Sequence, residues 1–220
     1  MRESFEKHIK ELNKEVIDMS EMVINATSRS VQALGDRNIK EAERIIEDDL
    51  LINNKRWQIE EKCINLIALQ QPVATDLREI IAVLNIITEL ERMGDYAEGI
   101  ARIAVMLGNE PLIRPLIFTP KMAEKANSML KRSMQALVDR DAKAASAICD
   151  EDDEVDKLYD EAYHELLMRM IKDPSVISRA TPLIWAAHNL ERSADRVTNI
   201  CERIIFLATG SMPQVNVSKY

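Results

Sequence analysis

Apolar residues recur at alternating steps of three and four along most of this chain, the spacing of helices that pack along a shared seam. Gly is scarce, at 5 of 220 residues, and aromatic residues reach only 4%, whereas strands draw on aromatic and β-branched side chains. We therefore predict an all-α fold. The first segment shows the seam at Phe5, Ile9, Leu12, Val16, Met19, Val23, Ala26, Ser30 and Ala33.

Stop and start residues divide the first half of the chain into three predicted helices. Gly35 follows the first seam as a stop, and Asn38 can cap a second helix that runs to about Leu69. Pro72 lies near the start of a third helix, which ends at Gly108. The proline-containing segment 109–118 is the predicted linker.

Three further helices are predicted after the linker. Thr119 and Pro120 resemble an N-cap and a first helical residue, and this fourth helix runs to about Arg140. Asp141 can cap a fifth helix that reaches about Lys172. The sixth follows Asp173-Pro174 and extends to Gly210, and residues 211–220, which have no periodicity, are predicted to be a flexible tail.

The two halves of the chain match in sequence. The heptapeptide ELERMGD at 89–95 recurs as NLERSAD at 189–195, and IIEDDLLINNKRW at 45–57 resembles AICDEDDEVDKLY at 147–159. This pattern predicts a tandem duplication of a three-helix bundle, with six long helices in two repeats over 1–108 and 119–210.

Charge and cysteine content limit the function classes. A net charge of −8 and few aromatic residues argue against a nucleic-acid-binding protein. Uninterrupted apolar runs such as IIAVL are far shorter than the about 20 residues that a membrane-spanning helix needs. The three widely separated cysteines, Cys63, Cys149 and Cys201, are predicted to be buried thiols in a reducing compartment, which favours a cytoplasmic protein.

Repeated carboxylates lie beside the apolar seams of the third and sixth helices. Glu91 and Asp95 are four residues apart and therefore share a helix face, with Glu98 one turn further along. Glu191 and Asp195 repeat the pair in the second half. Ionised acids close to a core require a partner or a shifted pKa.

The second helix of each half carries matching acids on its own seam. Asp49 is followed by Asn53, and Asp152 by Asp156, again four residues apart. Acids that converge from two packed helices need charge compensation, which a bound cation or an arginine of the repeated motif would supply. Oxygen-rich clusters suit hard ions, iron or manganese, whereas zinc and copper sites usually recruit His or Cys.

Three other interpretations of these residues are open from the sequence. The acids can be ordinary solvated residues of a helical interaction module. The step from Glu161 to His164 matches the Glu-x-x-His motif of di-iron enzymes and iron-handling bundles, but the corresponding first-half position is Glu61. His188 precedes Glu191 by one turn and could join it as a ligand, although a lone histidine more often has no such role.

Taken together, the duplicated LER..D, the QPVATDLR segment and the EDDEVDKLY segment resemble the PhoU family over residues 4–210. The resemblance implies two all-helical three-helix bundles. It also implies multinuclear metal clusters, expected to be iron and alternatively zinc or manganese. The motif of the family falls here on Glu91, Asp95, Glu191 and Asp195, with Asp49, Asp152 and Asp156 on the facing helices. Asn53 and Glu98, which the spacing places beside these acids, complete the predicted set of metal ligands.

Two positions depart from the family pattern. Ser193-Ala194 replaces Ile-Gly in the second heptapeptide, which is expected to change how closely a neighbouring helix approaches. Asn53 replaces an acid in the first half, so the first cluster is expected to carry less negative charge and to hold fewer or more weakly bound ions.

The family resemblance also implies a role. PhoU-like proteins are cytoplasmic adaptors, not enzymes, between the ATPase and permease of the phosphate ABC transporter and a phosphate-sensing histidine kinase. They repress the phosphate-starvation response and phosphate uptake when phosphate is plentiful. The resemblance further implies a homo-oligomer, with a dimer favoured, and contact with the membrane only through these partners.

Overall fold

A computed structural model describes residues 2–111, 113 and 117–211 of the chain. Within these residues it contains α-helices, one short 3₁₀ turn and no strand, so the all-α prediction is confirmed. The helices are α1 (Arg2–Asp36), α2 (Ile39–Gln70), α3 (Thr75–Leu107), α4 (Phe118–Asp139), α5 (Ala142–Cys149), α6 (Asp152–Lys172) and α7 (Ile177–Thr209), with the 3₁₀ turn at Pro174–Val176.

Two long helices occupy the centre of the molecule. Helix α3 packs against α1, α2 and α7, and α7 packs against α3, α4, α5 and α6, while α1 also contacts α4. The predicted seam of α1 is buried at Leu12, Val16, Met19 and Val23, with side chains that are at most 3% exposed. Burial of these apolar stripes supplies the main stabilisation of the bundle.

The contact between α3 and α7 joins the two halves through polar groups. Glu89 of α3 accepts hydrogen bonds from Arg196 at 3.3 Å and from Asn199 at 3.2 Å. At the other end of the contact, a Cβ at Gly99 would lie 2.9 Å from Nδ2 of Asn189. Any residue larger than glycine at position 99 would therefore force the Asn189 side chain to move. Glu89 and Asn189 are counterparts in the repeat, as are Gly99 and Asn199, so the two ends of the contact are related by the duplication.

Two predicted helix caps are confirmed. Asn38 accepts a hydrogen bond from the backbone N–H of Glu41 at 3.1 Å, and Asp141 accepts from Lys143 and Ala144 at 2.9 and 3.0 Å. These side chains satisfy N–H groups that the first helical turn leaves without partners.

The predicted continuous fifth helix is wrong, because the chain turns at Asp150 and Glu151 and divides it into α5 and α6. Five consecutive acids, 150–154, would lie inside the predicted helix. In the observed arrangement Asp152 and its two successors occupy the first turn of α6, where the helix dipole favours negative charge. Asp152 is thereby placed at a helix N-terminus.

The predicted start of the fourth helix at Thr119 is also displaced. Helix α4 begins at Phe118, which packs against the core, and the buried Thr119 hydroxyl caps nothing. Part of the predicted linker, residues 112 and 114–116, and residues 212–220 of the predicted tail lie outside the described residues. The repeat boundaries at 108 and 119 stay predictions.

Candidate metal centres

The first acidic cluster lies between α2 and α3, which pack against each other along their length. It comprises the five predicted first-half residues, Asp49, Asn53, Glu91, Asp95 and Glu98, because the carboxylates interact electrostatically across the two helices. Asn53 donates a hydrogen bond of 2.7 Å from Nδ2 to Oδ2 of Asp49. The other oxygen of that carboxylate, Oδ1, is buried and has no partner.

Burial and mutual repulsion raise the pKa values of this cluster. Burial and the nearby Glu98 and Glu91 carboxylates raise the pKa of Asp49, while the Asn53 hydrogen bond opposes the shift. Burial, Glu91 and Asp49 raise the pKa of Asp95 to about 6. The folded chain therefore holds negative charges together at a cost, which a bound cation would remove.

Glu98 changes the expected charge balance between the clusters. Because it interacts with Asp49 and Asp95, the first cluster contains four carboxylates despite Asn53, as many as the second. Arg102 partly compensates Glu98, donating hydrogen bonds of 3.0 and 2.6 Å to Oε1. The number of carboxylates therefore gives no reason to expect that the first cluster binds metal ions more weakly than the second.

Gly94 permits the close approach of α2 at the first cluster. A Cβ at this position would lie 3.2 Å from two carbons of Ile52 and 3.3 Å from Oδ1 of Asp49. In the second half the counterparts are the buried Ala194 and Val155. A larger residue on one helix is thus matched by a smaller one on the other, so the replacement of Gly by Ala is accommodated.

The second acidic cluster lies between α6 and α7 and contains the four predicted residues, Asp152, Asp156, Glu191 and Asp195. Burial, followed by Asp156 and Asp195, raises the pKa of Asp152 to about 7. Burial, followed by Asp195 and Asp156, raises the pKa of Glu191 to about 7. Acids of α6 and α7 therefore interact electrostatically with one another across the contact between the two helices.

Both clusters contain buried oxygen atoms without hydrogen bonds, which makes them suitable for binding a cation. Oδ1 of Asp49, Oδ1 of Asp152 and Oε2 of Glu191 are buried without a hydrogen bond, and Glu191 is only 6% exposed. Buried polar atoms are otherwise nearly always hydrogen-bonded. Oxygen donors of this kind can hold iron, manganese or other hard ions, which would neutralise the clustered charge.

The side-chain positions observed here do not form a preformed coordination sphere. Within the described residues, no three His, Cys, Asp or Glu side chains stand in an arrangement that could hold an ion. Binding of an ion at either cluster would therefore require these side chains to rearrange.

His188 and Tyr159 flank the second cluster. The sequence indicated His188 as a possible ligand beside Glu191, whereas no sequence pattern marked Tyr159. Nδ1 of His188 lies 3.2 Å from Oε2 of Glu191, and the Tyr159 ring stands 5.9 Å from the His188 ring, between centroids. Burial, followed by Arg192, lowers the pKa of His188, which favours the neutral imidazole. The spacing of His188 and Glu191 was the only sequence sign of this arrangement.

The Glu-x-x-His step of the di-iron interpretation does not face the bundle interior. Glu161 and His164 are both exposed, and Nδ1 of His164 lies 2.8 Å from the carbonyl oxygen of Asp160 on its own helix. Di-iron bundles require such motifs to project inward from facing helices. The sequence motif therefore does not form a site of that kind here.

A cavity of about 370 Å³ adjoins the first cluster, between α1, α2 and α3. Asp18 and Glu21 of α1 line it together with Asp49 and Glu98. These α1 acids do not belong to a repeated acid pair, so no sequence pattern marked them as candidates.

Over the residues that the structure describes, no helix is both long and apolar enough to cross a membrane.

Comparison with known proteins agrees with this architecture. The family model described as the PhoU domain matches residues 16–104 and 119–204. A relative from Clostridium acetobutylicum, named as a phosphate-specific transport system accessory protein PhoU homolog, is 38% identical, covering 98% of this chain and 99% of its own length. A relative of the same name from Aquifex aeolicus is 36% identical over 94% of this chain and 93% of its own.

Solved structures share the fold. The phosphate transport system regulatory protein PhoU from Streptococcus pneumoniae superposes with a TM-score of 0.89 and 31% identity, over 96% of this chain and all of the other. PhoU from Pseudomonas aeruginosa gives a TM-score of 0.88 and 32% identity, over 94% of this chain. The match of two PhoU domains and these full-length relatives show that the chain belongs to the PhoU family.

Proposed function

We propose that the protein is a cytoplasmic regulator of phosphate homeostasis that acts as an adaptor. In this proposal it links the ATPase or permease of a phosphate ABC transporter to a phosphate-sensing histidine kinase. When phosphate is plentiful it represses the phosphate-starvation response and phosphate uptake. It catalyses no reaction.

The observation that carries the transport assignment is the similarity along the whole chain. The relative from Clostridium acetobutylicum covers 98% of it and is named as an accessory protein of phosphate-specific transport. The similar structure from Streptococcus pneumoniae is described as a regulatory protein of a phosphate transport system. Both names support a role beside a transporter instead of a catalytic one.

Metal binding is the second component of the proposal. The two acidic clusters hold metal ions, multinuclear iron in the first instance and zinc or manganese as alternatives. Support comes from the duplicated carboxylates on facing helices and from the unpartnered oxygens of Asp49, Asp152 and Glu191. The ions would neutralise the charge between α2 and α3 and between α6 and α7, and so tie each helix pair together.

The partners in this proposal are proteins. The net charge of −8 opposes binding to nucleic acid, and association with the membrane is indirect, through the transporter and the kinase. The protein forms a homo-oligomer, with a dimer favoured. Exposed apolar side chains on the outer face of α2, Leu50, Trp57 and Ile64, offer surface for such contacts.

A cell-based experiment tests the regulatory component. The gene is deleted in its host, and a phosphate-starvation promoter and the rate of phosphate uptake are followed at high phosphate. Deletion is expected to raise both, and the wild-type gene supplied in trans is expected to restore repression. Unchanged promoter activity and uptake would contradict the regulatory role.

Elemental analysis tests the metal component separately. Protein purified without chelators is compared with a Glu191→Ala/Asp195→Ala variant and with a control, Glu124→Ala/Glu161→Ala, that removes two exposed acids. Near-integer metal in the wild type and the control, reduced in the first variant, is expected. Absence of metal from all three after reloading with iron, zinc and manganese would contradict this component while leaving the regulatory one intact.

A further inference from the structure

We propose that His188 is a nitrogen ligand of the second acidic cluster, so that the two clusters of this chain differ in donor chemistry. The inference rests on the metal component of the proposed function. It assigns to the second cluster an imidazole that the duplicated acid motif does not include, and it predicts that the second cluster prefers zinc or iron more strongly than the first.

The geometry of His188 and Glu191 supports this assignment. The two residues are one turn apart on α7, and Nδ1 of His188 lies 3.2 Å from Oε2 of Glu191. Glu191 is 6% exposed, yet Oε2 lacks a partner with hydrogen-bond geometry, including this nitrogen. Two ligand atoms each about 2.1 Å from a zinc ion are separated by about 3.0–3.4 Å, depending on the coordination angle, and the observed distance falls in that interval.

The register of α6 and α7 places His188 in line with the acids. Cys149, at the end of α5, donates to the carbonyl oxygen of Thr198 at 3.9 Å, and Tyr159 on α6 lies beside His188. Residue numbers rise on one side of the contact as they fall on the other, so this segment and α7 run in opposite directions. The rings of Tyr159 and His188 are 5.9 Å apart between centroids and inclined by 47°. His188 therefore ends the row of acids on α7, and the Tyr159 ring restricts its rotation.

The first cluster has no imidazole at the corresponding end. The counterpart of His188 is Thr88, whose hydroxyl donates to the carbonyl of Leu84 on its own helix at 3.0 Å. The counterpart of Tyr159 is Arg56, which contacts Glu60 at 3.3 Å. An arginine and a hydroxyl bound to backbone thus occupy the place that a histidine and a tyrosine occupy in the second half.

This difference has consequences for metal choice. Four carboxylates with an amide favour manganese, magnesium or calcium relative to zinc, whereas an added imidazole favours zinc and iron. His188 is 53% exposed, so it stands at the rim where an arriving ion would meet it early. The competing arrangement is an imidazolium ion paired with Glu191 and without metal contact.

X-ray absorption at the zinc K-edge distinguishes these arrangements, because a coordinated imidazole gives characteristic outer-shell scattering. All samples are full-length protein carrying Asp49→Asn/Asp95→Asn, which confines zinc to the second cluster. His188→Gln is compared with the unmodified residue and with His164→Gln. His164 is a matched control, exposed on α6 with Nδ1 held 2.8 Å from the Asp160 carbonyl oxygen. Thermal unfolding confirms that each variant folds.

We expect imidazole scattering in the reference sample and in His164→Gln, and its loss in His188→Gln with the oxygen ligands retained. Zinc affinity is expected to fall at least about tenfold in His188→Gln, and manganese affinity to change by less than about threefold. Zinc bound without imidazole scattering in the reference sample, or scattering that persists in His188→Gln, would overturn this inference alone. Failure of the reference sample to bind zinc, iron or manganese would overturn the inference together with metal binding at the second cluster, and leave the regulatory role untouched.

Discussion

Arg132 donates hydrogen bonds of 2.6 and 2.7 Å to the two carboxylate oxygens of Glu151, across the contact between α4 and the turn before α6. The first half contains the counterpart, with Arg29 donating to Asp48 at 2.8 Å. Each residue of the second pair stands 103 positions after its counterpart, and each acid directly precedes the first acid of a cluster. The duplication has thus kept a guanidinium bridge beside both candidate metal centres.

Substitution of Arg132 by Ala is expected to lower stability in a pH-dependent manner. The hydrogen bonds from Arg132, followed by those from Lys125, outweigh burial and lower the pKa of Glu151 to about 2. Because the folded pKa lies below the ordinary value, the bridge stabilises the fold above about pH 4.5, and the effect is lost as the pH falls towards 2. For this partly exposed pair we expect a loss of about 1 kcal/mol at pH 7.

Urea unfolding of the wild type and Arg132→Ala at pH 7 and at pH 2.5 measures this effect. The neighbouring exposed Lys131→Ala serves as a control for loss of one positive charge and is expected to change stability by less than about 0.5 kcal/mol. A loss of equal size at both pH values would show that Arg132 acts through packing of its aliphatic stem and not through Glu151.

Substitution of Gly94 by Ala tests the close approach of α2 to the first cluster. The added methyl group would crowd Ile52 and Asp49 at 3.2 and 3.3 Å, while Ala gains up to about 1 kcal/mol of helix propensity over Gly. The net change in the free energy of unfolding is therefore expected to stay within about 1 kcal/mol. Metal affinity of the first cluster, in contrast, is expected to fall about tenfold, because Asp49 must move.

The second half of the chain supplies a rescue for this substitution. It combines Ala194 with Val155, so Ile52→Val added to Gly94→Ala reproduces that pair and removes one crowding carbon. Isothermal titration with manganese is expected to show recovery of affinity in the double variant. If Ile52→Val alone lowers affinity as much as Gly94→Ala does, the effect arises from general loosening of α2 instead of crowding at Asp49.

A third prediction concerns the buried Glu79 on α3, which is 3% exposed. It accepts hydrogen bonds from Arg140, in the turn between α4 and α5, and from Asn13 of α1 at 3.2 Å. Arg140→Ala leaves this carboxylate without its cation and is expected to cost about 1–3 kcal/mol, below the range for fully buried pairs because Arg140 is half-exposed. Glu79→Gln/Arg140→Ala is expected to recover part of the loss.

Denaturant unfolding of the two single variants and the double variant forms a complete cycle for this pair. A coupling free energy above about 1 kcal/mol would support a bridge that ties the second half to α3. Additive losses would show instead that the two residues stabilise the bundle independently.

Local helix signals and the repeat were sufficient to predict the all-α fold and to select the acids that lie beside the apolar seams, while the role of these acids as metal ligands stays a prediction. Asp141 caps a helix as its residue type suggests, and Asp49 and Asp152 were recognisable because an acid interrupts an apolar seam. Thr119 has an equally good capping sequence, but Phe118 packs on the core and the helix starts earlier. Packing between segments that are distant in the sequence determines where α4 begins, and local sequence signals do not indicate that packing.

Contacts between helices account for the other features that the sequence left unassigned. The turn at Glu151 depends on Arg132 and Lys125, which are supplied by α4. The position of His188 depends on Tyr159, supplied by α6. None of these side chains belongs to a distinctive local sequence pattern. Only the register between the packed helices indicates which residues contact each other.

The last prediction concerns the stability of metal-free protein as the pH rises. The pKa values of Asp152 and Glu191 are each raised to about 7, chiefly by burial. A carboxyl group whose folded pKa is raised binds its proton more tightly in the folded state. Below its ordinary pKa of about 4 the group has no destabilising effect, and above about pH 7 its destabilising effect is fully present. The metal-free protein is therefore expected to lose about 1–3 kcal/mol of stability between pH 5 and pH 8, a figure reduced for solvent screening.

Glu191→Gln should flatten this pH dependence of stability, whereas Glu161→Gln, at an exposed position, should not. Metal bound to the clusters is expected to abolish the loss at pH 8, since the ion stabilises the ionised carboxylates. Urea unfolding across this pH interval, with and without chelator, measures all of these effects. A metal-free wild type that is as stable at pH 8 as at pH 5 would contradict the assignment of a strained cluster of carboxylates.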